Sequence, residues 1–381
     1  VTIHFKQLLD EACARTKLTN FGDLSFLEPL EKLVESINND SQLTVFGVQA
    51  MPEMLIGFLV NRLEVEDWYA RHPEINDEQI VAPVFGIGLP RTGSTALGHM
   101  MAQDSNTRVL RDWESKRHCP PPETATQFND PRIAESRAGY DFFATVLPEI
   151  VSLLPYDEQG PQECAYLLSE AFLPHFAFEV FVHTPSYAQW VETVNIDMRP
   201  AYQYHKRVIK LMQWRCPPKR WYLRTPIHTF ALDAINHVYP DAQFVMTHRD
   251  PAKALPSVSS LMYLFRRAYV ENPLPETLGP SQQEYWARAL EKALNFRKKI
   301  GEQRFFDVSH RQQIADPTVQ VKALYAKLGW PYNNALEAKI RQWQANNPKG
   351  EHRFSPEFFG LDANNIAQRF AFYAKHFDHL Y

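Results

Sequence analysis

Val84-Phe85-Gly86-Ile87-Gly88-Leu89-Pro90-Arg91-Thr92-Gly93-Ser94-Thr95-Ala96-Leu97 decides the fold of this chain. An apolar run suited to a buried strand ends at Gly88, a tight loop follows, and Ser94 opens a helical pattern. Strand, small-residue loop and helix start together form a phosphate cradle, because free backbone N–H groups and the positive end of the helix dipole converge there. The spacing from Gly88 to Gly93 matches GxxxxGK[ST], but Ser94 stands where a nucleotide triphosphatase needs lysine. The positive charge sits inside the loop instead, as Arg91. That displacement points to an anion-binding loop used for something other than hydrolysing ATP or GTP. The alternative is a strand-to-helix turn that binds nothing.

The chain's 381 residues leave room for one large domain plus an appendage. Hydrophobic residues at 45% and charged residues at 22% are ordinary globular values. A net charge of −4 gives no electrostatic footprint for nucleic acid or an anionic membrane, so neither partner is expected. Cys13, Cys119, Cys164 and Cys216 are scattered without CxxC spacing, which indicates neither a zinc site nor a disulfide framework. Reduced thiols in a cytoplasmic protein are the expectation. No signal pattern opens the sequence and no apolar run is long enough to span a bilayer. The oligomeric state is not readable.

Residues 1–80 read as a mostly helical region packing on the core, with apolar spacing of three and four over 5–12, 26–34 and 51–69. From 81 to 381 the texture becomes an α/β domain, with candidate buried strands at 82–88, 221–224, 244–248 and 305–308 and helical stretches between. Alternation of this kind predicts a P-loop-like, mostly parallel sheet flanked by helices. Ligands then bind beyond the carboxyl ends of the strands, so the loops after Gly88, Arg224 and Thr247 should share one crevice. An aromatic-rich helical insertion at about 141–210 should lie over it.

Val245-Met246-Thr247-His248-Arg249-Asp250-Pro251 reads as a strand ending in a basic residue and a turn, and the following helical run contains Ser257. Arg249 and Ser257 could jointly hold a second phosphate, through a fork of donors and a hydroxyl. Arg249 paired locally with Asp250 is the competing reading. Pro90-Arg91-Thr92-Gly93-Ser94-Thr95, followed much later by Arg249 and Ser257, resembles the sulfotransferase superfamily, whose members bind 3′-phosphoadenosine-5′-phosphosulfate. The similarity is greatest to the bacterial branch with arginine in the loop and to tyrosylprotein sulfotransferases, and its texture runs over nearly the whole chain.

The resemblance implies roles. Arg91, Thr92, Gly93, Ser94, Thr95 and Ala96 would hold the 5′-phosphosulfate, and Arg249 with Ser257 the 3′-phosphate. Glu114, in Asp112-Trp113-Glu114, falls where related enzymes place a general base, a role a carboxylate fits if it reaches the acceptor hydroxyl. Arg224 takes the place of a family lysine that contacts the sulfonate, a departure that keeps the charge. His228 is the second candidate base, although its offset differs by two residues from the family's histidine. Lys349-Gly350 looks like the family's late loop over the nucleotide. His310 stands where relatives usually carry tyrosine. His99, His118, His175 and His205 form no metal-binding pattern, and no metal is expected.

The implied activity is transfer of a sulfonate group to a hydroxyl or amine of a small-molecule, lipid or carrier-bound acceptor, with a cytoplasmic location. Two alternatives stay open: a phosphoryl-transfer enzyme (kinase or nucleotide triphosphatase), and a nucleotide-binding module without turnover.

Overall fold

In the computed structural model, which describes residues 2–153, 156–347 and 355–381, five strands form one parallel sheet in the order β2-β3-β1-β4-β5. They are β1 (Val84–Gly88), β2 (Thr107–Val109), β3 (Arg220–Arg224), β4 (Gln243–His248) and β5 (Phe305–Ser309). Four match the expected strands within a residue or two. The fifth, β2, has only three residues on the sheet edge and left no periodic signal.

Both faces of the sheet are covered by helices, so its central strands carry near-continuous apolar runs. β1 is buried at every position. Phe85 and Ile87 point into the larger core with Trp221, Leu223, Phe244 and Met246. Val84, Tyr222 and Val245 point the other way, against Leu97 and Met101 of α4 (Ser94–Met101). Gly86 lies on this second face by alternation. A Cβ there would come within 2.7 Å of the Tyr222 hydroxyl and 3.0 Å of Arg224 Cβ, so only glycine lets these side chains cross the strand.

Ahead of the sheet run α1 (Phe5–Thr16), α2 (Leu27–Asp40) and α3 (Val45–Arg71). Their apolar faces share a cluster with Phe172, Phe178, Val182 and Tyr187 of the central helical stretch and with Tyr269. α5 (Asp112–Lys116) and α6 (Pro131–Val146) lead into that stretch, and the helices Pro185–Thr193 and Arg199–Trp214 belong to it. No helix among the described residues is long and apolar enough to cross a membrane.

Candidate active site

The loop after β1 is held in one shape by its own polar groups. Thr92 Oγ1 bonds the carbonyl of Leu89 (2.8 Å) and the hydroxyl of Thr247 on β4 (2.6 Å). Gly88 N–H donates to Thr229 Oγ1 at 2.8 Å, tying the strand end to the turn after β3. Arg91 (φ 63°) and Gly93 (φ 86°) both take left-handed backbone. At Arg91 this conformation is strained for a residue with a side chain, and it sits in the middle of the cradle. Gly93 is further constrained, since a Cβ would lie 2.9 Å from His310 Cδ2. The first bond closing α4 runs from Leu97 N–H to Gly93 O (3.0 Å), which leaves the N–H groups of Ser94, Thr95 and Ala96 facing out of the helix end.

Three expected anion contacts meet here. Arg91 Nε donates to Ser257 Oγ (3.1 Å), and Arg249 Nη1 donates to the Arg91 carbonyl (2.7 Å). Ser257 is buried on the helix Pro251–Tyr269, whose N-terminus is capped by Asp250 through Ala252 N–H (2.9 Å). Asp250 is therefore a cap, and the local Arg249–Asp250 pairing considered above does not form. Burial first, then the charge of Arg249, pulls the Arg91 guanidinium below the usual arginine range. Burial lowers Arg249 likewise. Two desolvated cations close enough to act on one another favour an oxyanion beside them.

Arg224 reaches the same crevice from the carboxyl end of β3. Gly98 of α4 makes way for it: a Cβ there would be 3.0 Å from Arg224 Nε. Arg224 Nη2 donates to Pro161 O (2.8 Å), and Nη1 to Glu163 Oε1 (3.2 Å). The other Glu163 oxygen accepts from Thr225 Oγ1 at 3.1 Å. Glu163's side chain is 32% exposed, and its charge also acts on Arg91. Glu163 was not anticipated; it follows Arg91 by 72 positions and belongs to no recognisable spacing. His99 of α4, which belongs to no metal-binding pattern in the sequence, stacks on Trp343 (5.1 Å). Burial, then Arg224's charge, lowers its pKa to about 4.

Two expected bases require correction. Glu114 is fully buried. One of its oxygens accepts from Arg108 Nη2 (2.6 Å) and the other from Arg111 N–H (3.0 Å), where it closes the first turn of α5. With both oxygens hydrogen-bonded and the side chain fully enclosed, it presents no face to a substrate. His228 is also fully buried, with Nδ1 on the Tyr202 hydroxyl (2.7 Å) and its ring edge-on to Phe85. Burial holds its pKa well below the ordinary histidine value, and it is a core residue. Lys349 and Gly350 lie outside the described residues.

The crevice has guanidinium, hydroxyl and N–H donors at the carboxyl edge of a parallel sheet, an arrangement that suits an oxyanion. A sequence model described as the Sulfotransferase family matches residues 83–334, two thirds of the chain, and the chain belongs to that family. Omega-hydroxy-beta-dihydromenaquinone-9 sulfotransferase Stf3 of Mycobacterium bovis is 22% identical over 277 residues, covering 71% of this chain and 69% of its own. Among solved structures, sulfotransferase STF9 from Mycobacterium avium superposes with a TM-score of 0.87 at 27% identity, over 98% of this chain and 96% of its own. Sulfotransferase STF1 from Mycobacterium tuberculosis gives 0.86 at 28% identity, over 97% and 99%. The protein is a bacterial-type sulfotransferase.

Proposed function

We propose that this sulfotransferase takes its sulfonate group from 3′-phosphoadenosine-5′-phosphosulfate and delivers it to a hydroxyl of an apolar small molecule or lipid. The meeting of Arg91, Arg249 and Ser257 beside the open N–H groups of α4 carries the donor assignment. In this reading the N–H groups of Ser94 to Ala96 and the Arg91 guanidinium hold the 5′ end, with Thr92 and Gly93 shaping the loop. Arg249 and Ser257 hold the 3′-phosphate. The groups facing the loop are guanidinium, hydroxyl and N–H donors, which suit oxyanions.

When bound, the donor supplies an activated sulfonate on a phosphate leaving group. Arg224 exchanges its Nη1 contact with Glu163 for a sulfonate oxygen, and Arg91 stabilises charge growing on the departing phosphate. Glu163, the part-exposed carboxylate between these arginines, accepts the acceptor's proton as the acceptor oxygen bonds sulfur. The bond from sulfur to the 5′-phosphate oxygen breaks in the same displacement, releasing adenosine 3′,5′-bisphosphate. The named substrate of the Stf3 relative, a hydroxyl-bearing menaquinone, supports an alcohol on an apolar body as the acceptor class.

Calorimetric titration with adenosine 3′,5′-bisphosphate, with ADP and Mg-ATP alongside, tests the donor site. Expected is tight binding that needs the 3′-phosphate. Preference for Mg-ATP would turn the reading to phosphoryl transfer. Tight bisphosphate binding with no sulfation of any alcohol would turn it to a module without turnover.

A further inference from the structure

A second cavity, of about 270 Å³, lies between the helical stretch that follows Leu173, the turn Pro226–Phe230 and the long helix Pro275–Ile300. The turn is its partition from the donor crevice. Ile227 and Phe230 face the cavity, whereas Thr229 of the same turn bonds Gly88 at the base of the phosphate loop. The walls are apolar, with Ile196, Ile227 and Phe230 prominent.

Three polar groups open into this space without hydrogen-bond partners among the described residues. His175 and Tyr285 are each more than nine-tenths buried and touch edge to face at 4.9 Å. Burial lowers the His175 pKa to about 4, so its imidazole is neutral at neutral pH and offers one donor and one acceptor. Lys292 is the third. Its ammonium sits over the Phe230 ring at 4.1 Å, and no carboxylate of the described residues lies within ion-pair distance. Asp233 and Glu192 act on it only from farther away. Arg288, one turn earlier, is already neutralised by a bidentate pair with Glu192 (2.5 and 2.8 Å). Among the described residues Lys292 is therefore the rim cation with no carboxylate in ion-pair contact, although burial and the charge of Arg288 lower its pKa.

Native interiors satisfy buried polar groups almost everywhere, and an apolar cavity with a few convergent polar atoms is the usual form of a small-molecule site. We propose that this cavity binds a small amphipathic carboxylate, with its apolar body against Ile196, Ile227 and Phe230 and its carboxylate on the Lys292 ammonium and the Tyr285 hydroxyl. The charge selects an anion over the matching neutral alcohol, and the size limits the body to a short chain or single ring system. The site is separate from the donor crevice and does not depend on which donor fills that crevice.

Octanoate and octan-1-ol are the probes, titrated at neutral pH into wild type, Lys292→Met and Tyr285→Phe by ligand-observed NMR, with and without saturating adenosine 3′,5′-bisphosphate. Octanoate should bind wild type about tenfold or more tighter than octanol, as a charge-assisted hydrogen bond provides. That preference should vanish in Lys292→Met, weaken in Tyr285→Phe, and persist under saturating nucleotide. Equal binding of acid and alcohol to wild type would overturn the proposal. So would an unchanged octanoate affinity in Lys292→Met, or competitive displacement of octanoate by the nucleotide. Both variants keep the side-chain volume, and circular dichroism checks that each is folded.

Discussion

Two arginine–glutamate pairs lie on neighbouring strands of the sheet, and they have opposite fates. Arg108 of β2 is paired with Glu114 at 2.6 Å, and the side chains are 6% and 0% exposed. Arg224 of β3 is paired with Glu163 at 3.2 Å, with exposures of 4% and 32%. Both arginines are equally buried, and both leave Nε without a partner, so neither burial nor an orphan nitrogen separates them. The carboxylate does. Glu114 is locked by a guanidinium and a backbone N–H, while the remaining Arg108 donors go to the carbonyls of Met212 and Cys216. Glu163 is part-exposed, and its charge also acts on Arg91. A pair closed on all sides holds a fold together, and a pair open on one side can exchange its partner for a substrate.

The comparison is broken most directly at the two glutamates. Glu163→Gln should cost roughly 10²–10⁴-fold in kcat, the usual worth of a positioned proton acceptor, with an unchanged melting temperature. Glu114→Gln should do the reverse. Leaving Arg108 buried opposite a neutral amide should destabilise by about 3–5 kcal/mol in denaturant titration, while the folded fraction keeps near-normal turnover. If the two results trade places, the assignment of roles is wrong.

Arg224→Ala sharpens the open side. Loss of a donor aimed at developing charge should lower kcat at least about a hundredfold while leaving bisphosphate affinity nearly intact. Arg249→Ala should show the converse, with bisphosphate affinity falling about tenfold or more and ADP affinity scarcely moving. A smaller effect separates a third kind of glutamate. Glu179 is buried beside Arg266, but Arg266 Nε donates to the Glu179 backbone carbonyl (2.8 Å). Burial, only partly offset by Arg266, raises the Glu179 pKa to about 7. Its folded value lies above its unfolded one, so the stability it contributes is fully present below about pH 4.3 and fades as pH rises through 7. Glu179→Gln should flatten the decline in melting temperature across that window.

Most of the fold was legible, because buried parallel strands write themselves as apolar runs and the loop from Gly88 to Gly93 announces its helix. β2 was not, being three residues long on the sheet edge. Arg91, Arg249 and Ser257 were readable as partners because the fold places strand ends side by side, and a strand that ends in arginine shows itself in sequence. Glu114 and His228 misled for a shared reason. Residue type and distance along the chain say nothing about whether a polar group is already spoken for. Glu163 was invisible on the same ground: a glutamate in the loop between Pro161 and Cys164 gains meaning only when Arg224 and Thr225 arrive beside it. Lys349 and Gly350, outside the described residues, remain proposals from resemblance.

The hydrogen bond from Arg249 to the backbone carbonyl of Arg91 joins the two proposed anion-binding ends. In the proposed reading a bisphosphate meets two prongs that share this bond, so a change at one reaches the other. Removing the Arg249 side chain frees the Arg91 backbone as well, so mutational losses at the two ends should fall short of their sum.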